Sequence, residues 1–166
     1  MTPSIRLAKP TDGPFIFALV GELASFEKLD LVTTEDAFID SLFSSSHITS
    51  FVAELDGVVI GYAICMFNFS TFLGKQGLYL EDLYVAEKHR NQGVGSALLA
   101  AVARFAENKG CKRIEWCALT WNQNAIELYE KLGARKLEEF YYFRLENKHI
   151  TSLAETEHNV SIGSLT

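Results

Sequence analysis

The stretch Tyr84–Gly110, YVAEKHRNQGVGSALLAAVARFAENKG, carries the reading on which the rest of the chain depends. Val94, Leu98, Leu99, Val102 and Phe105 recur at helical spacing, which predicts a helix from Val94 to about Asn108 that stops at Gly110. Gly93 and Gly95 stand at its mouth, where glycine weakens a helix. A helix start presents unpaired N–H groups and the positive end of the helix dipole. Glycines there remove side chains, so phosphate oxygens can approach the backbone. Arg90 can add a charge-assisted contact. The segment Arg90-Asn91-Gln92-Gly93-Val94-Gly95-Ser96 therefore reads as a pyrophosphate cradle that follows a strand. On spacing alone, a tight strand-to-helix turn is the competing reading. The spacing is neither the P-loop pattern, which needs a Lys after its last glycine, nor G-x-G-x-x-G.

Working outward, Ser4–Ala8 alternates as a short strand. Phe15, Leu19, Leu23 and Phe26 predict a helix to about Lys28, with Thr11 or Asp12 as cap and Pro14 in its first turn. TTEDAFIDSLF predicts a second, shorter helix capped by Thr33 or Thr34. β-prone runs flank Asp56-Gly57, the signature of a hairpin. LYLEDLYVA is mostly apolar, as a central strand should be. Beyond the glycine segment, CKRIEWCAL predicts a strand, NQNAIELYEKLGA a helix capped by Asn122 and stopped at Gly133, and FYYFRLE a last strand. Arg135–Leu137 is one further candidate strand. The order β α α β β β α β α β predicts a mixed α/β (α+β) sheet with helices packed on it. A single domain over residues 1–146 is expected, followed by a polar, unpatterned tail at 147–166 that is either disordered or a short appendage.

Composition narrows the function. The 166 residues are 48% apolar and 22% charged, ordinary for one globular domain. A net charge of -6 argues against a nucleic-acid binder and leaves room for a cationic small substrate. Cys65, Cys111 and Cys117 show no metal spacing and read as reduced thiols, which fits a cytoplasmic protein. No signal-peptide core and no run of about 18 apolar residues is present, so no membrane partner is expected. His47, His89, His149 and His158 share no spacing, and no metal site is expected.

LYLEDLYVAEKHR, RNQGVGSALL and WNQNAIELYEKLGA together resemble the Gcn5-related N-acetyltransferase (GNAT) superfamily, over about residues 4–146. The resemblance implies a mixed, mostly antiparallel sheet flanked by helices, with acetyl-CoA as cosubstrate. It implies that Arg90, Asn91, Gln92, Gly93, Val94, Gly95 and Ser96 cradle the pyrophosphate, and that Leu83, Tyr84 and Val85 run beside the pantetheine arm. It also implies that Asn122, Asn124 and Ala125 lie toward the thiol and that Tyr129 protonates the departing thiolate. Longer shared strings are similar to the spermidine/spermine and thialysine acetyltransferase branch: Leu78–Val85, the pair Trp121-Asn122 and the pair Phe26-Glu27. That branch implies a homodimer, with Glu81 holding the acceptor amine and Phe26 and Glu27 marking the other acceptor end. Glu115 and Trp116, on the strand next to that of Glu81, could line the same groove. The branch also carries an acidic patch after the last helix, where this chain has Glu138 and Glu139 followed by FYYF.

On chemistry alone, a Tyr on an apolar helix face reads first as core. A phenol with a pKa near 10 can nevertheless donate a proton to a leaving thiolate in the transition state. An attacking amine must be neutral, and a carboxylate beside it both helps remove its proton and stabilises the charged form. Glu81 is therefore assigned positioning first and base second. As neighbours on a strand, Glu81 and Asp82 are expected on opposite faces. The expected function is acetyl-CoA-dependent acetylation of a primary amine on a small polyamine-like or diamino acceptor, by direct attack. The rivals are another amine (a protein N-terminus, a Lys side chain or an amino sugar) and a CoA-binding module without turnover.

Overall fold

A computed structural model of the protein describes residues 2–156. Among the described residues, five strands lie in the order β1-β2-β3-β4-β5: β1 Ser4–Leu7, β2 Ile48–Leu55, β3 Val58–Ser70, β4 Lys75–Val85 and β5 Ile114–Glu115. All neighbouring pairs are antiparallel except β4 and β5, which are parallel. The helices are α1 Gly13–Glu27, α2 Glu35–Ser44, α3 Val94–Asn108, α4 Gln123–Lys131 and α5 Lys148–Ala154. Contacts divide the chain into two units, Met1–Leu128 and Tyr129–Thr166, so that α4 runs across the division.

In the first unit both sheet faces are covered. Strand alternation sends Phe51, Ala53, Ala63 and Cys65 to one face, where they pack with Val94, Leu98, Val102 and Ala106 of α3. Val52, Tyr62, Ile64 and Tyr84 go to the other face and meet Ile16 and Leu19 of α1 and Leu42 of α2. The helical spacing read in the sequence of α3 is thus its buried stripe. The hairpin turn is at Asp56-Gly57, both with positive φ (53° and 79°), the geometry that matches strand twist. Thr34 caps α2 by accepting from the Ala37 N–H. Asp12 precedes α1 without a side-chain cap. Its carboxylate is buried and accepts from Arg6 and from the Lys9 N–H, and Arg6 also pairs with Glu54 of β2. These bonds hold the Asp12 carboxyl below its ordinary range.

The central strand contains an irregularity that positions the site. Ala63 pairs with Leu83 and Ile64 with Asp82, but Cys65 pairs with Leu80, so Glu81 is an extra residue in β4. Leu80 and Leu83 both pack on the α3 side. The two residues between them, Glu81 and Asp82, consequently share the α1 side rather than facing opposite ways as expected.

Three predicted strands differ. Only Ile114–Glu115 of Cys111–Leu119 forms a strand, because the parallel ladder ends at Tyr79↔Glu115, just before β4 reaches its bulge. Phe140–Glu146 and Arg135–Leu137 form no strand. A strand needs a ladder partner, and in the second unit Phe140, Tyr141, Tyr142 and Phe143 are all exposed. That unit holds the end of α4, closed at Gly133 (φ 88°), and the short helix α5. Residues 157–166 of the expected tail lie outside the described residues.

Gly61 lets β4 lie close against β3, since a Cβ there would stand 2.8 Å from the Tyr84 carbonyl oxygen. Because that neighbour is backbone, Gly61→Ala is expected to lower stability by about 1–3 kcal/mol. An unchanged urea midpoint would show that the strand has room.

Candidate acetyltransfer site

The loop between β4 and α3 has the form expected of an anion cradle. Asn91 (φ 60°) and Gly93 (φ 79°) are both left-handed, and Gly93 is the residue before α3. A Cβ on Gly93 would meet nothing within 4 Å, so the backbone turn, not crowding, requires glycine there. Val94, Gly95 and Ser96 open the helix, and the first amide to find an intrahelical partner is that of Ala97, on the Gly93 carbonyl. Gln92 donates to the Lys88 carbonyl and steadies the turn.

Beside the loop, β4 has an open edge. From Leu80 to Val85 it pairs with β3 on one side, while its ladder with β5 has ended at Tyr79. Among the described residues, Leu83, Tyr84 and Val85 thus have one strand neighbour where a central strand has two. An unpaired strand edge that leads to unpaired helix-start amides fits an extended, amide-bearing chain ending in phosphates, which is the shape of CoA.

Arg90 does more than add charge. Its Nε donates to the Val85 carbonyl at 2.9 Å. Its guanidinium lies 5.0 Å from the ring centres of both Phe26 and Tyr84. Phe26 also packs on Trp121, with ring centres 5.3 Å apart. Tyr84 donates to a Glu22 carboxylate oxygen at 3.2 Å. One cation between two rings therefore ties the end of α1 to β4 and to the cradle, and through Trp121 to the turn before α4. There Asn122 caps the helix by accepting from the Ala125 N–H, with Asn124 exposed and Ala125 half-buried.

The acidic side chains lie on the α1 face. Glu27, at the end of α1, is half-buried, and burial raises its carboxyl above the usual range. Asp82 is pushed up to about 6, by burial first and then by the charges of Glu81 and Glu27, with Tyr62 acting against them. Glu81 itself is exposed. Tyr62 is fully buried, and among the described residues its hydroxyl has no well-formed hydrogen-bond partner; of the charges acting on it, Asp82 comes first. Neither Asp82 nor Tyr62 was singled out as a site residue in the sequence, because only the extra residue in β4 brings Asp82 to the face shared with Glu81, Glu27 and Tyr62.

Two further expected groove residues have partners on neighbouring elements. Glu115 pairs with Arg113 at 2.8 Å and accepts from Asn68 at 2.9 Å. Trp116 packs against the core on the α3 side, the face opposite Asp82. Tyr129 is on α4 and belongs to the second unit. Burial pushes the Cys65 thiol up to about 12, so it stays protonated near neutrality. No group of His, Cys, Asp and Glu among the described residues could hold a metal ion. Nor is any helix among them long and apolar enough to cross a membrane.

A comparison with known families accounts for this arrangement: the acetyltransferase (GNAT) family matches residues 18–134. The chain belongs to that family. It is 35% identical over 164 residues to the thialysine N-epsilon-acetyltransferase of Bos taurus, covering 90% of this chain and 96% of that one. It is 33% identical over 193 residues to the L-ornithine N5-acetyltransferase of Arabidopsis thaliana, covering 87% and 85%. Among solved structures, an aminoglycoside N-acetyltransferase in complex with CoA matches with a TM-score of 0.70 at 25% identity, over 87% of this chain and 100% of that one. The open β4 edge and the glycine turn of this acetyltransferase thus stand within the matched region.

If Arg90 acts as the strut described, charge alone cannot replace it. Arg90→Lys keeps the charge but loses the planar stack between two rings and the Nε bond. It is expected to destabilise the protein by about 1–2 kcal/mol, read from urea unfolding. Wild-type stability in Arg90→Lys would reduce the residue to a charge on the loop.

Proposed function

We propose that the chain transfers the acetyl group of acetyl-CoA to a primary amine of a small polyamine-like or diamino acceptor. The observation that carries this reading is the open edge of β4 from Leu80 to Val85, leading directly into the unpaired amides at the start of α3. Acetyl-CoA, when bound, supplies the thioester carbonyl that the amine attacks. Amides on the β4 edge near Leu83, Tyr84 and Val85 would bond the pantetheine arm and polarise that carbonyl. Amides of Gly93 through Ser96 would meet the pyrophosphate, with Arg90 holding the turn in shape.

The acceptor side is acidic. Glu27, Glu81 and Asp82 lie on one face of the sheet, with the Phe26 ring at the end of the same helix as Glu27. Closely placed carboxylates favour a cationic partner, so an acceptor with an ammonium group suits them better than a neutral or anionic one. The relatives named for thialysine and ornithine act on small amines by their names, and they support the same class. Glu81, exposed at the rim, positions the acceptor. By resemblance, Tyr129 returns a proton to the departing sulfur, and two copies of the chain pair as a homodimer. None of the three Cys is needed as a nucleophile; Cys65 is buried as a thiol.

Turnover of acetyl-CoA by the purified protein against spermidine, putrescine, thialysine, lysine and ornithine, with an amino sugar and a peptide amine alongside, tests the reading. Activity confined to small diamino acceptors is expected. Binding of acetyl-CoA without turnover of any amine would make the protein a CoA-binding module. For Tyr129→Phe, kcat is expected to fall roughly 10²–10⁴-fold while the KM for acetyl-CoA stays near wild type. A folded variant with wild-type kcat, measured where chemistry limits the rate, removes Tyr129 from the proton transfer.

A further inference from the structure

Side chains from four separate segments of the first unit stand in one column. Trp121, from the turn before α4, packs on Phe26 of α1 with ring centres 5.3 Å apart. Phe26 packs on the Arg90 guanidinium of the cradle loop, and that guanidinium packs on Tyr84 of β4, each at 5.0 Å from the ring centre. The column closes on itself, because the Tyr84 hydroxyl donates to Glu22 at 3.2 Å. Glu22 and Phe26 are one helical turn apart on α1 and so share a face. The end of α1 is therefore gripped twice, once through a hydrogen bond and once through a cation between two rings.

The grip falls where the helix needs it. Phe26 and Glu27 are the last two residues of α1. Lys28 follows with left-handed backbone (φ 60°), a conformation that glycine adopts more readily. The Leu29 N–H closes this turn by donating to the Ala24 carbonyl at 2.9 Å. A helix end of that kind keeps its direction when the packing around it leaves no alternative. Here the packing is the Phe26 ring, which touches both Trp121 and Arg90. Glu27 rides on the same turn, half-buried, and its charge acts on Asp82. The bonding of Arg90 points the same way. Its Nε is committed to the Val85 carbonyl and its flat faces to two rings, so it is a rigid spacer as much as a charge. The amides at the start of α3 can meet phosphates without it.

We propose that Arg90 and Phe26 are positioning residues for the acceptor: through the column they hold Glu27 where it meets the second ammonium of a diamine. A residue of the glycine loop thereby sets the preference for a diamine over a monoamine. This rests on the acetyltransfer reading and deepens it. The amine that reacts lies toward the thioester and is common to both kinds of acceptor. The second ammonium, a few methylenes away, is the group left for a carboxylate at the end of α1. A half-buried carboxylate is screened less by water than an exposed one, so a pair made there separates acceptors with a second charge from those without. The pair depends on geometry, and the column fixes the geometry.

The test reads binding rather than turnover. Putrescine and butylamine differ by one terminal ammonium, and calorimetry gives the Kd of each for the full chain saturated with CoA, which has no acetyl group to transfer. The wild type is expected to bind putrescine about tenfold tighter or more, the scale of a hydrogen bond to a charged group. Phe26→Leu and Arg90→Lys should each lose that preference, by weakening putrescine and leaving butylamine where it was. Phe26→Tyr, which keeps the ring, should retain it. Glu27→Gln should lose it too, and Phe26→Leu added to Glu27→Gln should change the ratio no further, because the column acts through Glu27. A substitution that merely loosens the fold weakens both amines alike and does not move the ratio. A wild type with no preference for putrescine overturns the proposal. So does a Phe26→Leu or Arg90→Lys protein that keeps the full ratio, and so does a double variant that falls below Glu27→Gln alone. Failure of the acetyltransfer reading shows separately: a wild type that prefers putrescine in its CoA complex yet turns over no amine upholds the column and overturns acetyl transfer. A wild type that binds no CoA overturns both.

Discussion

Between Leu80 and Leu83 the central strand carries two residues where regular pleating would carry one. The facing of the acids in β4 follows from that insertion. Before it, even-numbered residues of β4 face α3; after it, odd-numbered ones do, as Leu78 and Leu80 against Leu83 and Val85 show. A side-chain period of two leaves no other way to place both Glu81 and Asp82 on the acidic face without exposing Leu83. The ladder with β5 ends just short of the same place, and the edge amides that follow are left without a strand neighbour. A single extra residue thus coincides with two features of β4: carboxylates on one face, and an open backbone edge.

The two halves are tied by Arg90. A guanidinium between the faces of Phe26 and Tyr84 is partly shielded from water, which strengthens its attraction to the ring quadrupoles relative to an exposed pair. Its Nε bond to Val85 adds direction. The glycine turn needs such support, because Asn91 and Gly93 both adopt left-handed backbone and neither has a packed side chain to hold it. The end of α1, which carries Glu27, rests against the same cation through Phe26. The end of α1 and the glycine turn therefore share one strut, although they are separate motifs in the chain.

Burial and charge then divide the acids. Glu81 is exposed, while Asp82, one residue on, is screened from water and flanked by two other carboxylates. The neutral group that acts on Asp82 is the Tyr62 phenol, which is buried in the cluster that holds Ile16, Ile64 and Val52.

Local pattern determined much of this protein. The apolar stripe of α3, the Asp56-Gly57 turn, the Thr34 cap and the glycine mouth at Gly93 depend on residues a few positions apart, and each formed where its spacing placed it. The shared strings from Leu78 to Val85 and at Trp121-Asn122 carried the family. Other features needed partners distant in the chain. LYLEDLYV is apolar on both sides of its acids, so no alternation within it reveals an extra residue; only pairing with β3 does. FYYF has the composition of a strand, but composition cannot supply a neighbouring edge to bond. Nothing in the sequence pairs Glu115 with Arg113 and Asn68; the fold brings the three together. Arg90 looked like a free charge until two rings from distant segments enclosed it. Propensity, turns and caps are properties of neighbours along the chain. Register, burial and the perturbed acidity of Asp82 are properties of neighbours across space, and the tertiary structure alone decided them.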